Sequence, residues 1–117
     1  MTIRRMKTYT GEKGYVYQYY FVGKRAVSGE AAGSEYIFDV TSDRKTTYAV
    51  SVILPEKLVS DWAALHGRQL TDAEQYGAVK MRLFQGFDEL EDMMVDGRRL
   101  VIDAVILKSA LARLGVA

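Results

Sequence analysis

The chain has 117 residues, 49% of them apolar and 26% charged, with a net charge of +1 and no cysteine. This size and balance predict one globular domain over residues 1–117 that needs no disulfide or metal to hold it together. The lack of cysteine excludes a disulfide framework, a thiolate metal site and a cysteine nucleophile, and the small net charge argues against general nucleic-acid binding.

The N-terminal residues do not have the pattern of a signal peptide, and the sequence does not predict a membrane span. No apolar run follows the basic residues near the N-terminus, and no uncharged stretch approaches the roughly 20 residues of a membrane span. A soluble, cytoplasmic protein without membrane contact is therefore expected. Charge is uneven, however: residues 1–25 carry six basic residues and one acid, and residues 72–96 carry two basic residues and seven acids. Mutual attraction or plain solvation of these two regions is the simplest interpretation.

Tyrosine is concentrated at the start of the chain, with seven of the eight tyrosines in the first 48 residues. An aromatic and β-branched segment between two glycines predicts a strand over Tyr15–Val22. Side chains alternate along a strand, and tyrosine offers a rigid ring with a polar tip that suits an interface. The tyrosines predicted to contact a partner are Tyr15, Tyr17, Tyr19 and Tyr20. Plain packing within the sheet is the alternative for them. A weaker signal predicts a further strand over Ile3–Tyr9.

The next segments are interpreted as a linker and a hairpin. Residues 23–34 hold three glycines and predict a long linker, functional or mobile. Glu35–Thr41 and Thr46–Leu54 alternate in hydrophobicity and predict a β-hairpin. Both apolar sets reach the same face only if paired residue numbers sum to an even value. A three-residue loop at residues 42–44 satisfies this condition and predicts that Phe38 pairs with Tyr48.

Helices are predicted for the second half. Pro55 suits the first turn of a helix whose apolar stripe runs through Trp62 and which stops at Gly67. His66 is expected to pack on the Trp62 indole, because no metal or acid–base partners lie at suitable spacing.

Thr71 and Glu74 form a capping box that opens a long helix, predicted to end at Gly97. The apolar side chains of this helix span about 160° and are Tyr76, Val79, Leu83, Phe84, Phe87, Leu90 and Met94. Asp88, Glu89 and Asp92 fall on the opposite side. The tail predicts a short strand at residues 100–102 and a helix capped by Asp103, with a single strand through Leu107 as the alternative.

Strands followed by helices predict an α+β fold: an antiparallel sheet of three or four strands from the N-terminal half, packed on one face by two or three helices from the C-terminal half. Two charged residues fall inside the apolar arc of the long helix. Lys80 can keep its charge in water, whereas Glu91 needs a basic partner, a neighbouring subunit or a binding site. Both are candidate binding residues. An ion pair at the edge of the core is the plainer interpretation of Glu91.

No motif predicts catalysis, a cofactor or a metal: the chain lacks a phosphate-binding glycine loop, a Gly-x-Ser-x-Gly motif and paired metal-binding histidines. The first hypothesis is a non-catalytic binding or assembly module, a homodimer that contacts its partner through the tyrosine-bearing sheet, the long helix or both. The second is a small-molecule-binding protein or enzyme with a pocket between the sheet and the long helix. The third is a weak binder of single-stranded nucleic acid, which the overall charge makes an unlikely partner.

Overall fold

Strands come first along the chain and helices follow. The structure, a computed structural model, describes residues 6–29 and 32–116. Its elements are β1 Lys7–Thr10, β2 Val16–Val27, β3 Gly33–Thr41, β4 Tyr48–Pro55, α1 Glu56–His66, α2 Asp72–Glu89, α3 Met93–Asp96, β5 Arg99–Val101 and α4 Ala104–Arg113. The predicted α+β class is confirmed.

The sheet has five strands in the order in which they occur along the chain. The first four form an antiparallel meander, and β5 joins in parallel to β4, with Leu100 opposite Val52. The sheet therefore has more strands than the predicted three or four and is not wholly antiparallel, because the short apolar tail segment returns from the helical half to its edge.

The N-terminal strands differ in length from the prediction. β1 confirms the later part of the strand expected over Ile3–Tyr9, whose residues 3–5 lie outside the described residues. β2 continues five residues past Val22, because a bulge between Phe21 and Gly23 absorbs the extra residue and lets pairing resume. The predicted linker over residues 23–34 is wrong, since most of it pairs within the β2–β3 hairpin.

The β3–β4 hairpin keeps the predicted parity but not the predicted register. Phe38 lies opposite Val50 rather than Tyr48, so pairing is shifted by two residues and every side chain keeps its face. The connection, residues 42–47, is longer than expected because Asp43 organises it: its carboxylate accepts hydrogen bonds from the backbone N–H groups of Lys45 and Thr46, both at 2.8 Å. These local hydrogen bonds to Asp43 favour a six-residue connection over the predicted three-residue loop.

Most predicted helix limits hold. α1 begins one residue after Pro55, and Gly67 ends it in the left-handed conformation at φ 71°. The capping box at Thr71 is present, with both of its reciprocal hydrogen bonds. The tail forms β5 and then α4, where the Asp103 carboxylate accepts from the Ile106 N–H at 2.8 Å, so the single-strand alternative is wrong.

The predicted end of the long helix is wrong. α2 stops at Glu89, Leu90 is extended, and Asp92 caps the single turn of α3 before Gly97. The break rotates the chain so that Met93 is buried while Met94 is exposed. Aspartate is a strong helix N-cap. A new helix therefore starts after Asp92, although the apolar arc of α2 could have continued.

The core lies between one face of the sheet and the helices. Aromatic rings from both layers meet there: Tyr17 stacks on Phe87 and Tyr9 on Phe84, each pair with centroids 4.3 Å apart. Phe38 and Leu83 are fully buried in the same cluster. Phe87 is buried between the layers, and Trp62 and Phe84 are partly buried against the same cluster.

Candidate functional site

The tyrosines predicted to face a partner have divergent positions. Tyr17 and Tyr19 are buried in the core, where burial raises the pKa of both hydroxyls. Tyr15 precedes β2 and is exposed, and Tyr20 is exposed on the opposite face of the strand. Alternation therefore turns half of this set inward, which favours the packing interpretation for Tyr17 and Tyr19.

Lys80 lies close to Tyr19, one of the tyrosines predicted to contact a partner. Its ammonium lies 5.7 Å from the ring centroids of Tyr19 and Tyr76 and 5.8 Å from that of Phe84. The half-buried lysine stem follows the aromatic surface, and cation–π attraction holds its charge at the edge of the core. This arrangement accounts for a lysine within an apolar arc without a ligand.

Glu91 is not where the helical count placed it. It lies in the break between α2 and α3 and is exposed, because α2 ends two residues earlier. Within the described part of the chain Glu91 forms no ion pair, either with the nearby Arg98 and Arg99 or with another basic residue. Glu91 was expected to need a partner because it would be buried in the apolar arc of the long helix. It is exposed, so this reason does not apply.

The sheet face turned away from the core mixes charged side chains with exposed apolar ones, among them Val16, Tyr20 and Val101. Arg25 and Glu35 form an ion pair across β2 and β3, and hydrogen bonds from Arg25 and then Ser51 hold the pKa of Glu35 below its ordinary value. Tyr20 lies opposite Asp39 on this face. Charges of both signs mixed with an occasional ring are typical of a solvated face of an antiparallel sheet.

An apolar groove runs between the first and last helices, and we call it the α1–α4 groove. Its volume is about 700 Å³. Its apolar walls are formed by Leu58, Trp62, Leu65, Leu107, Leu111 and Val116. α1 contains no buried residue, and Leu65 is 82% exposed. An amphipathic helix is therefore only partly covered by its own chain.

The rim of the α1–α4 groove carries charges of both signs. Asp61 stands on the α1 side and Lys108 on the α4 side, and no ion pair joins them in the described structure. Trp62 is fixed between two neighbours: the His66 ring stacks on it at 4.1 Å, as predicted, and the Arg68 guanidinium lies 4.9 Å from its centroid. The groove thus has a rigid aromatic wall.

A second cavity, the β1–α4 cleft, lies on the other side of α4. Its volume is about 600 Å³, and its walls include Tyr9, Glu12, Phe84, Asp88, Glu89, Ser109 and Arg113. Asp88 accepts hydrogen bonds from the Tyr9 hydroxyl at 2.7 Å and from the Glu12 N–H at 2.9 Å. Burial, and then the bond to Asp88, raises the pKa of Tyr9 to about 12. Tyr9 therefore stays protonated and donates to Asp88.

The sequence indicates the two apolar helices that form the α1–α4 groove, but not the groove itself. The apolar stripe of α1 and the apolar tail helix were visible as patterns, but their proximity was not. Asp88 was assigned to the solvent side, because no local pattern connects it to Tyr9, 79 positions earlier. The groove and the cleft both depend on where α4 packs.

Comparison with known proteins leaves the function open. No protein-family model, curated protein or solved structure matches this chain significantly. Among residues 6–29 and 32–116, no group of three or more His, Cys, Asp or Glu side chains is placed to hold a metal ion. Within the same residues, no helix combines the length and apolarity needed to cross a membrane.

Proposed function

We propose that the chain is a non-catalytic assembly module that forms a twofold homodimer through the α1–α4 groove. The observation that supports this proposal best is that no residue of α1 is fully buried, although its apolar stripe borders a groove of about 700 Å³. Leu58, Val59 and Trp62 pack only partly against the core, and Leu65 is exposed. The sequence predicts the contact surface on the tyrosine-bearing sheet, the long helix or both, whereas this proposal places it on α1 and α4.

Apolar burial supplies the driving force in this proposal. Monomers seldom leave a large contiguous apolar surface in water, and a groove between two helices accepts a third helix by ridge-into-groove packing. A twofold axis beside the groove places α1 of each chain against α4 of the other. Leu65 and the exposed part of Trp62 then become interface residues, and four helices enclose a shared apolar layer.

The rim charges supply the specificity. In the isologous arrangement Asp61 of one chain faces Lys108 of its partner, and the same contact is repeated by symmetry. Opposite charges at an interface favour the correct register and speed association more than they add affinity. The partner that fits this pattern is a second copy of the chain.

Sedimentation equilibrium of the full chain tests the proposal. A dimer is expected, and Leu65→Glu should weaken it at least thirtyfold, since burying an unpaired charge costs about 2 kcal/mol or more. Val105→Glu is the matched control, because Val105 is 77% exposed on α4 but lines the β1–α4 cleft instead. A monomeric wild-type protein, or equal weakening by both variants, would overturn the proposal.

A charge exchange tests the twofold symmetry. Asp61→Lys and Lys108→Asp should each weaken self-association, because like charges then meet twice in each dimer. An equimolar mixture of the two variants should form a heterodimer, since each restores both contacts of the other. If the mixture stays monomeric while both variants remain folded by circular dichroism, α1 does not face α4 of the partner.

A further inference from the structure

The β1–α4 cleft has the size of a small-molecule site and is separate from the proposed dimer surface. At about 600 Å³ it lies in the middle of the range found for ligand pockets. It is lined by Val105, Ser109 and Arg113, whereas Leu107 and Lys108 of the same helix line the α1–α4 groove. A ligand in the cleft would therefore bind independently of the proposed dimer.

Charges of opposite sign line the cleft without pairing with each other. Glu12 and Glu89 form an acidic side, Arg113 lines the cleft from α4, and a second arginine, Arg82, lines it from α2. Arg82 donates to the Val101 carbonyl and to Gln85, and the Gln85 amide donates to Glu89. None of the four charged groups forms an ion pair with a described residue, and Arg113 is the arginine left to bind a ligand. Arg113 is nonetheless close enough to act on the titration of Tyr9, within the same cleft. Unpaired opposite charges across a cavity fit a ligand that carries both signs.

The C-terminal end of α2 favours a positively charged ligand group on the acidic side of the cleft. Asp88 and Glu89 occupy its last turn, which has no basic residue, so two carboxylates lie at the negative end of the helix dipole. This placement is unfavourable for the protein alone, since cations are stabilised there and anions are not. An ammonium group between Glu12 and Glu89 would neutralise the acidic side.

The floor of the cleft is apolar and aromatic. Tyr9 and Phe84 stack almost parallel, with 4.3 Å between centroids, and the Asp88 hydrogen bond fixes the Tyr9 ring. Met81 and Ile106 extend this surface. A fixed ring pair offers an apolar side chain a contact area without loss of rotamer freedom in the protein.

We infer that the β1–α4 cleft binds a small zwitterion with an apolar side chain, such as an α-amino acid. The ammonium group lies toward Glu12 and Glu89. The carboxylate accepts from the Arg113 guanidinium, with the Ser109 hydroxyl one helical turn earlier as a second donor. The apolar side chain packs on the Tyr9–Phe84 pair.

Three probe ligands with the same phenyl ring test the contributions of the positive and the negative group separately. Phenylalanine carries both charges, phenethylamine only the positive one and N-acetylphenylalanine only the negative one. Backbone amide shifts of the isotope-labelled full chain, followed at millimolar ligand, should move at Ser109 and Arg113 with phenylalanine. Both single-charge analogues should bind about tenfold or more weakly than phenylalanine, because each leaves one side of the cleft unpaired.

Variants assign each charge to one end of the ligand. Arg113→Gln should weaken phenylalanine about tenfold and leave phenethylamine unchanged, and Glu89→Gln should weaken phenethylamine and leave N-acetylphenylalanine unchanged. Glu91→Gln and Lys45→Gln are matched controls, because both residues are exposed and neither lines the cleft. Both control proteins should bind phenylalanine as the wild type does.

Two results would overturn the inference. Phenethylamine binding as tightly as phenylalanine would reduce the cleft to a cation site, and the lack of shifts with all three probes would leave no site. Leu65→Glu, which breaks the proposed dimer, should not change phenylalanine binding. Loss of the dimer and loss of the ligand site can therefore be told apart.

Discussion

Residues at the start of α2 connect a sequence motif directly to stability. The Glu74 carboxylate accepts from the Thr71 N–H at 2.9 Å, and two of its contacts with the Arg68 guanidinium are at 2.8 Å. The hydrogen bonds from Arg68 and then from the Thr71 backbone lower the pKa of Glu74 from 4.5 to about 2. Sequence reasoning found the cap but not Arg68, which lies before the motif.

Stability should depend on pH through Glu74. Because its folded pKa is depressed, its contribution is complete above about 4.5 and is lost as the pH falls toward about 2. Glu74→Gln keeps a capping side chain but removes the charge. The gap between the unfolding free energies of wild type and variant should therefore narrow on acidification, as measured by urea titration. A gap that does not change with pH would contradict this, and Glu91→Gln serves as the control.

Gly33 should not tolerate a side chain. A Cβ built there lies 2.3 Å from the Leu54 carbonyl oxygen and 2.8 Å from the Pro55 Cα, both backbone atoms that cannot move aside. Gly33→Ala is expected to cost about 1–3 kcal/mol in a denaturant titration. Gly23→Ala, also in the β2–β3 hairpin but with open space around its Cβ, should stay within about 0.5 kcal/mol. Equal costs would mean that β4 does not approach β3 this closely.

At the scale of elements, local signals predict where a structure starts better than where it ends. The starts of α2 and α4 follow from caps within four residues, and the end of α1 follows from Gly67. The end of α2 does not, because Leu90 and Met94 continue the apolar pattern beyond Glu89. A second cap at Asp92 and the burial of Met93 decide the break.

The break after α2 makes a testable distinction between two neighbouring methionines. Met93 is 2% exposed and Met94 is 41% exposed. Met93→Ala should destabilise the protein by about 2–5 kcal/mol, whereas Met94→Ala should cost far less. Denaturant midpoints of the two variants measure this difference. The reverse order would indicate one continuous helix to Gly97, as the hydrophobic arc alone predicts.

At the scale of the whole molecule, two layers leave two kinds of exposed surface. The outer sheet face carries charges of both signs between its exposed apolar side chains, whereas the helical layer presents an apolar groove between α1 and α4. Composition does not distinguish these surfaces, since both contain β-branched or aromatic residues. The difference lies in whether polar neighbours surround the apolar ones.

Thermal stability should depend on protein concentration if the proposed dimer forms. Only the folded chain associates, so mass action raises the midpoint temperature of unfolding as the protein becomes more concentrated. Leu65→Glu should remove this dependence, and Val105→Glu should retain it. Calorimetry over a hundredfold range of concentration measures the effect. A wild-type midpoint that does not move would contradict self-association.

The sequence alone determined the fold class, the parity of the β3–β4 hairpin and the caps of α2 and α4, because alternation and capping act over a few residues. It also placed Phe87 in the core and Trp62 against it. Tertiary structure decided the hairpin register, the continuation of β2 through its bulge, the end of α2 and the burial of Tyr17 and Tyr19. It also created both cavities, since each joins elements distant in sequence. These features depend on long-range packing free energies, which no local window contains.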